Sequence, residues 1–152
     1  MTSSCRYLVI LTLGATAACG GAVQGRVAPA PAEPEASIAA FLAAAREGNL
    51  GRLAELWGDE RGPASATNVI PAEQRQQRLT IMQRVLVSDE HRALGWEPSA
   101  TRAGRRVYSV ELARGGRRVV VPFTLAPSRR GGWLVAEIGL EAAMPLTRPT
   151  QP

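Results

Sequence analysis

Lysine is absent from this 152-residue chain, histidine occurs once (His91), and the only cysteines are Cys5 and Cys19. One imidazole, no thiol after residue 19 and no Asp, Glu or His cluster at ligand spacing exclude a recognisable metal site. Aromatics are few, three Trp, two Tyr and two Phe. They do not interleave with the arginines as a platform for nucleic-acid bases would. No Gly-rich loop opens a helix. Arg114-Gly115-Gly116-Arg117 and Gly131-Gly132 read as hairpin turns, so a phosphate-binding loop is excluded and no cofactor is implied. All eighteen bases being arginine reflects GC-rich coding rather than selection for phosphate. A long apolar run is also missing. Tyr7 to Ala18 is about half of the roughly 20 residues needed to cross a bilayer.

That short apolar run has another reading. Arg6, then Tyr7 to Leu13, then small residues from Gly14 to Ala18 form the layout of an export signal over residues 1–18. Cys19 follows at once. Thr16-Ala17-Ala18-Cys19 resembles the lipobox of bacterial lipoproteins, although Thr16 stands where Leu, Val or Ile is usual. The resemblance implies acylation of Cys19 and attachment to a membrane, and two or more chains at about 0.8 kcal/mol per buried CH₂ give a stable anchor. Acylation would also leave no unpaired thiol in an oxidising compartment. Ala15-Thr16-Ala17 is equally an A-x-A cleavage site, so a secreted or periplasmic soluble protein stays open. With Gly20 rather than Asp after the cysteine, the lipoprotein resemblance implies an outer-membrane protein facing the periplasm in a Gram-negative envelope.

Residues 19–34 are rich in Gly, Ala and Pro and read as an extended tether rather than packed structure. Residues 145–152, with three prolines, read as a disordered tail. Between them, residues 35–144 make about 110, enough for one domain. Without Arg6, 17 arginines oppose 13 acids, a formal +4 that bears on solubility and not on fold.

Ile38, Phe41, Leu42 and Ala45 form one stripe of a helix over 35–47, with Pro34 at its entry and Gly48 at its exit. Asn49 caps a second helix carrying Leu50, Leu53, Leu56 and Trp57, ended by Gly58. A loop spans 59–69. Pro71 opens a third helix to Leu86 with Leu79, Met82, Val85 and Leu86 inside and Arg75, Gln76 and Arg78 outside. The period then changes. A weak strand over 91–97 places Leu94 and Trp96 on one face, and stronger strands cover 106–113, 118–125 and 133–140. A two-residue turn at Gly115-Gly116 sets Leu112 opposite Val119, Val110 opposite Val121 and Tyr108 opposite Phe123. Pairing Leu125 with Leu134 sets Phe123 opposite Ala136, Val121 opposite Ile138 and Val119 opposite Leu140. Pro122 cannot donate to a ladder, so a distortion or an edge position is expected there. The expected class is α+β, with N-terminal helices on one face of a curved, mainly antiparallel four-stranded sheet.

The run Ser37 to Leu50, with its helix, small turn and following Leu53-x-x-Leu56-Trp57, resembles the opening of the nuclear-transport-factor-2-like (cystatin-like cone) superfamily. Trp133-Leu134-Val135-Ala136-Glu137-Ile138 is similar to the last strand of such cones. The resemblance spans 35–140 and implies that fold, as found in small uncharacterised bacterial lipoproteins. It does not choose an activity, because the fold hosts enzymes and binding modules alike.

Enzymes of that superfamily place an Asp, Glu or His inside the cone as a base, and the candidates here are His91, beside Asp89 and Glu90, and Asp59. His91 has no visible nucleophile or orienting partner in the sequence and reads alternatively as a solvated loop residue, and Asp59 reads alternatively as part of a solvated helix exit. Trp57, Trp96 and Tyr108 are candidates to line a pocket for a small apolar ligand. Arg102, Arg105, Arg106, Arg129 and Arg130 should gather at one end of the sheet as a contact for an anionic surface, or else as solvated tips that discourage edge pairing. The leading expectation is an envelope-anchored domain binding a small ligand or an envelope protein. The rival is a small isomerase- or hydrolase-like enzyme.

Overall fold

In the computed structural model, which describes residues 28–148, Pro34 occupies the first turn of helix α1 (Pro34–Glu47). Gly48 ends it in the left-handed conformation at φ 68°, and Asn49 donates its backbone N–H to the Ala44 carbonyl. The same Asn49 caps α2 (Leu50–Leu56), its side-chain oxygen accepting from the Arg52 N–H at 2.9 Å. The expected loop instead holds a tiny hairpin, β1 (Gly58–Asp59) and β2 (Gly62–Pro63). Helix α3 (Ala72–Leu86) buries Leu79, Met82, Val85 and Leu86, the side read from its periodicity.

The sheet is antiparallel with order β3-β4-β5-β6: β3 (Glu90–Pro98), β4 (Arg106–Arg114), β5 (Arg117–Pro127) and β6 (Trp133–Ile138). The chain is therefore α+β, as its pattern implied. Gly115 and Gly116 both adopt positive φ, 55° and 78°, which is what a two-residue turn matching strand twist requires. The ladder above them runs without a slip from Arg114–Arg117 to Arg106–Leu125 and contains all three expected apolar pairs. Tyr108, Val110, Leu112, Val121, Phe123 and Leu125 are buried beneath the helices with Ile38, Phe41, Leu53 and Leu86. Each such aliphatic or Phe side chain contributes roughly 1.5–3 kcal/mol by leaving water.

Four further expectations are corrected. In the β5–β6 pairing, Leu125 faces Val135 and Phe123 faces Ile138, with a bulge between. Strict alternation would put Glu137 on the face of Trp133 and Val135. The extra residue turns Glu137 away and returns Ile138 to the core side. Beyond Ile138 the strand stops, and Leu140 begins a short helix, α4 (Leu140–Ala143), followed by a 3₁₀ turn (Met144–Thr147).

The second correction concerns that turn. It lies in the segment expected to be a disordered tail, yet it buries Leu146 in the core. Its carbonyl at Pro145 accepts from the Arg117 guanidinium at 3.2 Å. Residues 149–152 lie outside the described residues.

Third, β3 bulges between Ala93 and Gly95, so Leu94 falls out of register and, of the expected pair, Trp96 alone shares the face of Tyr108. Fourth, the end of the tether is packed. Pro31 accepts from the Trp133 N–H at 2.9 Å, and Gly132 lies against the Ala30 carbonyl too closely for a Cβ. The rest of the tether, residues 19–27, and the export segment fall outside the described residues.

Pro122 is accommodated without a break in the β4–β5 ladder, where it pairs with Ser109. Its carbonyl accepts from the Gly139 N–H at 2.9 Å, so its nitrogen faces the same side, just where β6 has ended. No ladder donor is lost.

Candidate functional site

The core face of the sheet is filled, and the candidate site lies at its β6 edge. Trp57, the residue closing α2, is extended at φ −89°, ψ 128° and forms a parallel bridge to Val135 of β6. Its backbone carbonyl accepts from the Ala64 N–H at 2.7 Å, which folds the β1–β2 hairpin back beside β6. Gly58 is required at the first step of that hairpin, because a Cβ would collide with the Gly62 carbonyl and Pro63. The indole of Trp57 then stands between two adjoining hollows that also share Arg78, Ala136 and Glu137.

One hollow, about 290 Å³, is apolar and lies between α3 and β6, walled by Ile81, Met82, Ile138 and Leu140. The other, about 300 Å³, is polar and runs under the hairpin past Asp59, Arg61, Arg102 and Arg105. Together they form one groove with an oily end and a charged end.

Arg105 organises the charged end. Its side chain is only 5% exposed and donates to both Glu60 oxygens, at 2.7 and 3.1 Å, and to Glu137 at 2.9 Å. The Arg105 hydrogen bonds hold the Glu60 carboxyl below its ordinary range, against a smaller opposing effect of burial. Arg61 grips Asp59 through two nitrogens, with contacts from 2.5 to 3.3 Å. Those hydrogen bonds hold Asp59 ionised below the ordinary carboxylate range. A carboxylate so engaged is a poor base, because proton uptake must break the pairing.

The other sequence candidates sit as follows. His91 is exposed on edge strand β3, opposite Leu112, and beside an open hollow with Glu90, Arg92, Glu111 and Arg118. Trp96 and Tyr108 meet as a cross-strand pair with ring centroids 6.3 Å apart. They line a separate hollow with Glu33, Glu35 and Arg106, so Trp57 does not join them. The arginine group divides. Arg105 is buried and unavailable to a surface. The Arg106 guanidinium lies between two indoles, 4.4 Å from the Trp96 ring and 4.7 Å from that of Trp133. Arg102 lines the groove, Arg129 donates its N–H to the Glu60 carbonyl at 3.0 Å, and Arg130 is exposed beside it. Cys19 lies outside the described residues.

Sequence reasoning missed the Glu60–Arg105–Glu137 triad and the apolar end of the groove. The first joins residues far apart in the chain, and only the bulge in β6 aims Glu137 at Arg105. The second had a signal: Ile81 falls outside the buried stripe of α3 and is 55% exposed, an isoleucine without a core to enter.

Among the described residues no helix is long and apolar enough to cross a membrane. The chain is an α+β domain with two adjoining hollows at the β6 edge of its sheet. No family model matches the chain, and no curated protein matches it.

Proposed function

We propose that this chain is an envelope lipoprotein, acylated at Cys19, whose domain binds a small ligand in the groove between α3 and β6. The observation that carries the binding role is the groove itself: an apolar hollow of about 290 Å³ walled by Ile81, Met82 and Ile138, opening onto a charged one. Small-molecule sites combine an apolar lining with a few placed polar groups, and the hollows are at the small end of their size range. The anchor is supported by the lipobox-like Thr16-Ala17-Ala18-Cys19, and a nuclear-transport-factor-2-like ancestry by the order of helices and meander. With Gly20 after the cysteine, the outer membrane of a Gram-negative envelope is the proposed location.

Two measurements test this reading. Mass spectrometry of the mature amino terminus should find a diacyl or triacyl mass on Cys19, whereas a chain beginning at Ala18 removes the anchor. Titration with the neutral fluorophore N-phenyl-1-naphthylamine should give saturable binding, weakened at least tenfold by Ile81→Asp. Absence of saturable binding to the wild type removes the binding role.

A further inference from the structure

The charged end of the groove narrows the ligand class, an inference that rests on the binding role proposed above. Four guanidiniums, of Arg61, Arg78, Arg102 and Arg105, line it. Arg61 is matched by Asp59, and Arg105 by Glu60 and Glu137. Arg78 and Arg102 have no acceptor among the described residues. Counting Glu60 with the lining, four positive groups meet three carboxylates, and the surplus charge rests on these two arginines. Arg78 has a particular position. It lies one turn before Ile81 and Met82 on α3 and lines both hollows, so it stands where the apolar wall meets the polar one.

Both side chains are exposed, so a neutral apolar ligand would leave them to water and gain nothing from them. A cation would be repelled by them. An anion gains charge-assisted hydrogen bonds to a planar donor fork suited to carboxylate and phosphate. The apolar end, lined by Trp57, Ile81, Met82 and Ile138, is too small for a lipid with two chains and suits a single one.

We propose that the groove takes a single-chain amphiphile with one anionic head, a carboxylate or a phosphate, its head on Arg78 and Arg102 and its chain along Ile81 and Ile138. A free fatty acid and a lysophospholipid share that chemistry.

The test is competition against bound N-phenyl-1-naphthylamine on the acylated full chain, using decanoate, decyl phosphate and decanol below their aggregation thresholds. Decanoate or decyl phosphate should displace the fluorophore at least tenfold more effectively than decanol, and the stronger of the two names the head group. Arg78→Gln with Arg102→Gln should bring the anion down to the level of decanol, with the thermal midpoint checking the fold. Arg84→Gln, an arginine on α3 that does not line the groove, should leave the preference intact. If the fluorophore binds but decanol competes as well as both anions, the ligand class is wrong while the binding groove stands. If the arginine pair changes nothing while the anion preference persists, the head group lies elsewhere and the assignment to Arg78 and Arg102 fails.

Discussion

Arg105 and Glu60 form a two-pronged ion pair, at 2.7 and 3.1 Å, that ties the start of the β4 hairpin to the loop between β1 and β2. Removing the guanidinium leaves a partly buried carboxylate without its donors. Arg105→Met should therefore destabilise the domain by about 2–3 kcal/mol. That corresponds to a thermal midpoint lowered by roughly 10 °C or more for a domain of this size. Arg105→Lys keeps the charge but not the fork, and should recover only part of the loss. Calorimetry of the three proteins decides it.

The same pairing sets an acid limit. Glu60 and Asp59 titrate in the folded protein below their ordinary values of 4.5 and 3.8, held there by Arg105 and Arg61. A lowered folded pKa means that the unfolded chain binds protons first as pH falls. The stabilisation is thus complete above pH 4.5 and is lost progressively as pH drops through the folded values. Urea midpoints measured down the acid range should fall for the wild type and fall less steeply for Arg105→Met.

Midway along β5, Gly139 lies against Pro122, where an added Cβ would stand 2.6 Å from the proline Cγ. Gly139 has φ −75°, so the difficulty is space and not backbone conformation. Gly139→Ala should cost about 1–3 kcal/mol as overpacking. Pro122→Ala removes the ring and should rescue most of it, a coupling that a double-mutant cycle would read directly.

Arg106 packs between Trp96 and Trp133, joining the two outer strands of the sheet across β4 and β5. Each contact is worth about 0.5–1 kcal/mol at a half-exposed site. Arg106→Ala should lower stability by about 1–2 kcal/mol and alter the tryptophan emission. Arg106→Gln, which keeps the stem without the charge, separates packing from cation–π attraction.

The parts of the fold that were legible in the sequence are those fixed by local rules. Gly48 and Asn49 announced the break between α1 and α2, and Gly115-Gly116 set the β4–β5 register through turn geometry alone. The bulges at Leu94 and Ala136 were not legible, because periodicity assumes one residue per step and each bulge adds an unpaired residue. The site suffered most from this. A bulge aims Glu137 at Arg105, and the β1–β2 hairpin that supplies Glu60 is too short to leave a period. Of the expected aromatic trio, Trp57 does line the groove, while Trp96 and Tyr108 were drawn together by cross-strand pairing on the opposite edge of the sheet.

The groove's role is tested most directly by following backbone amide resonances of the ¹⁵N-labelled chain during separate titrations with decanoate and with decyl phosphate. Saturable shifts at Arg78, Ile81, Met82 and Ile138, with Trp96 and Tyr108 unmoved, are the predicted result. Shifts confined to Trp96 and Tyr108, or none at all, would contradict the account.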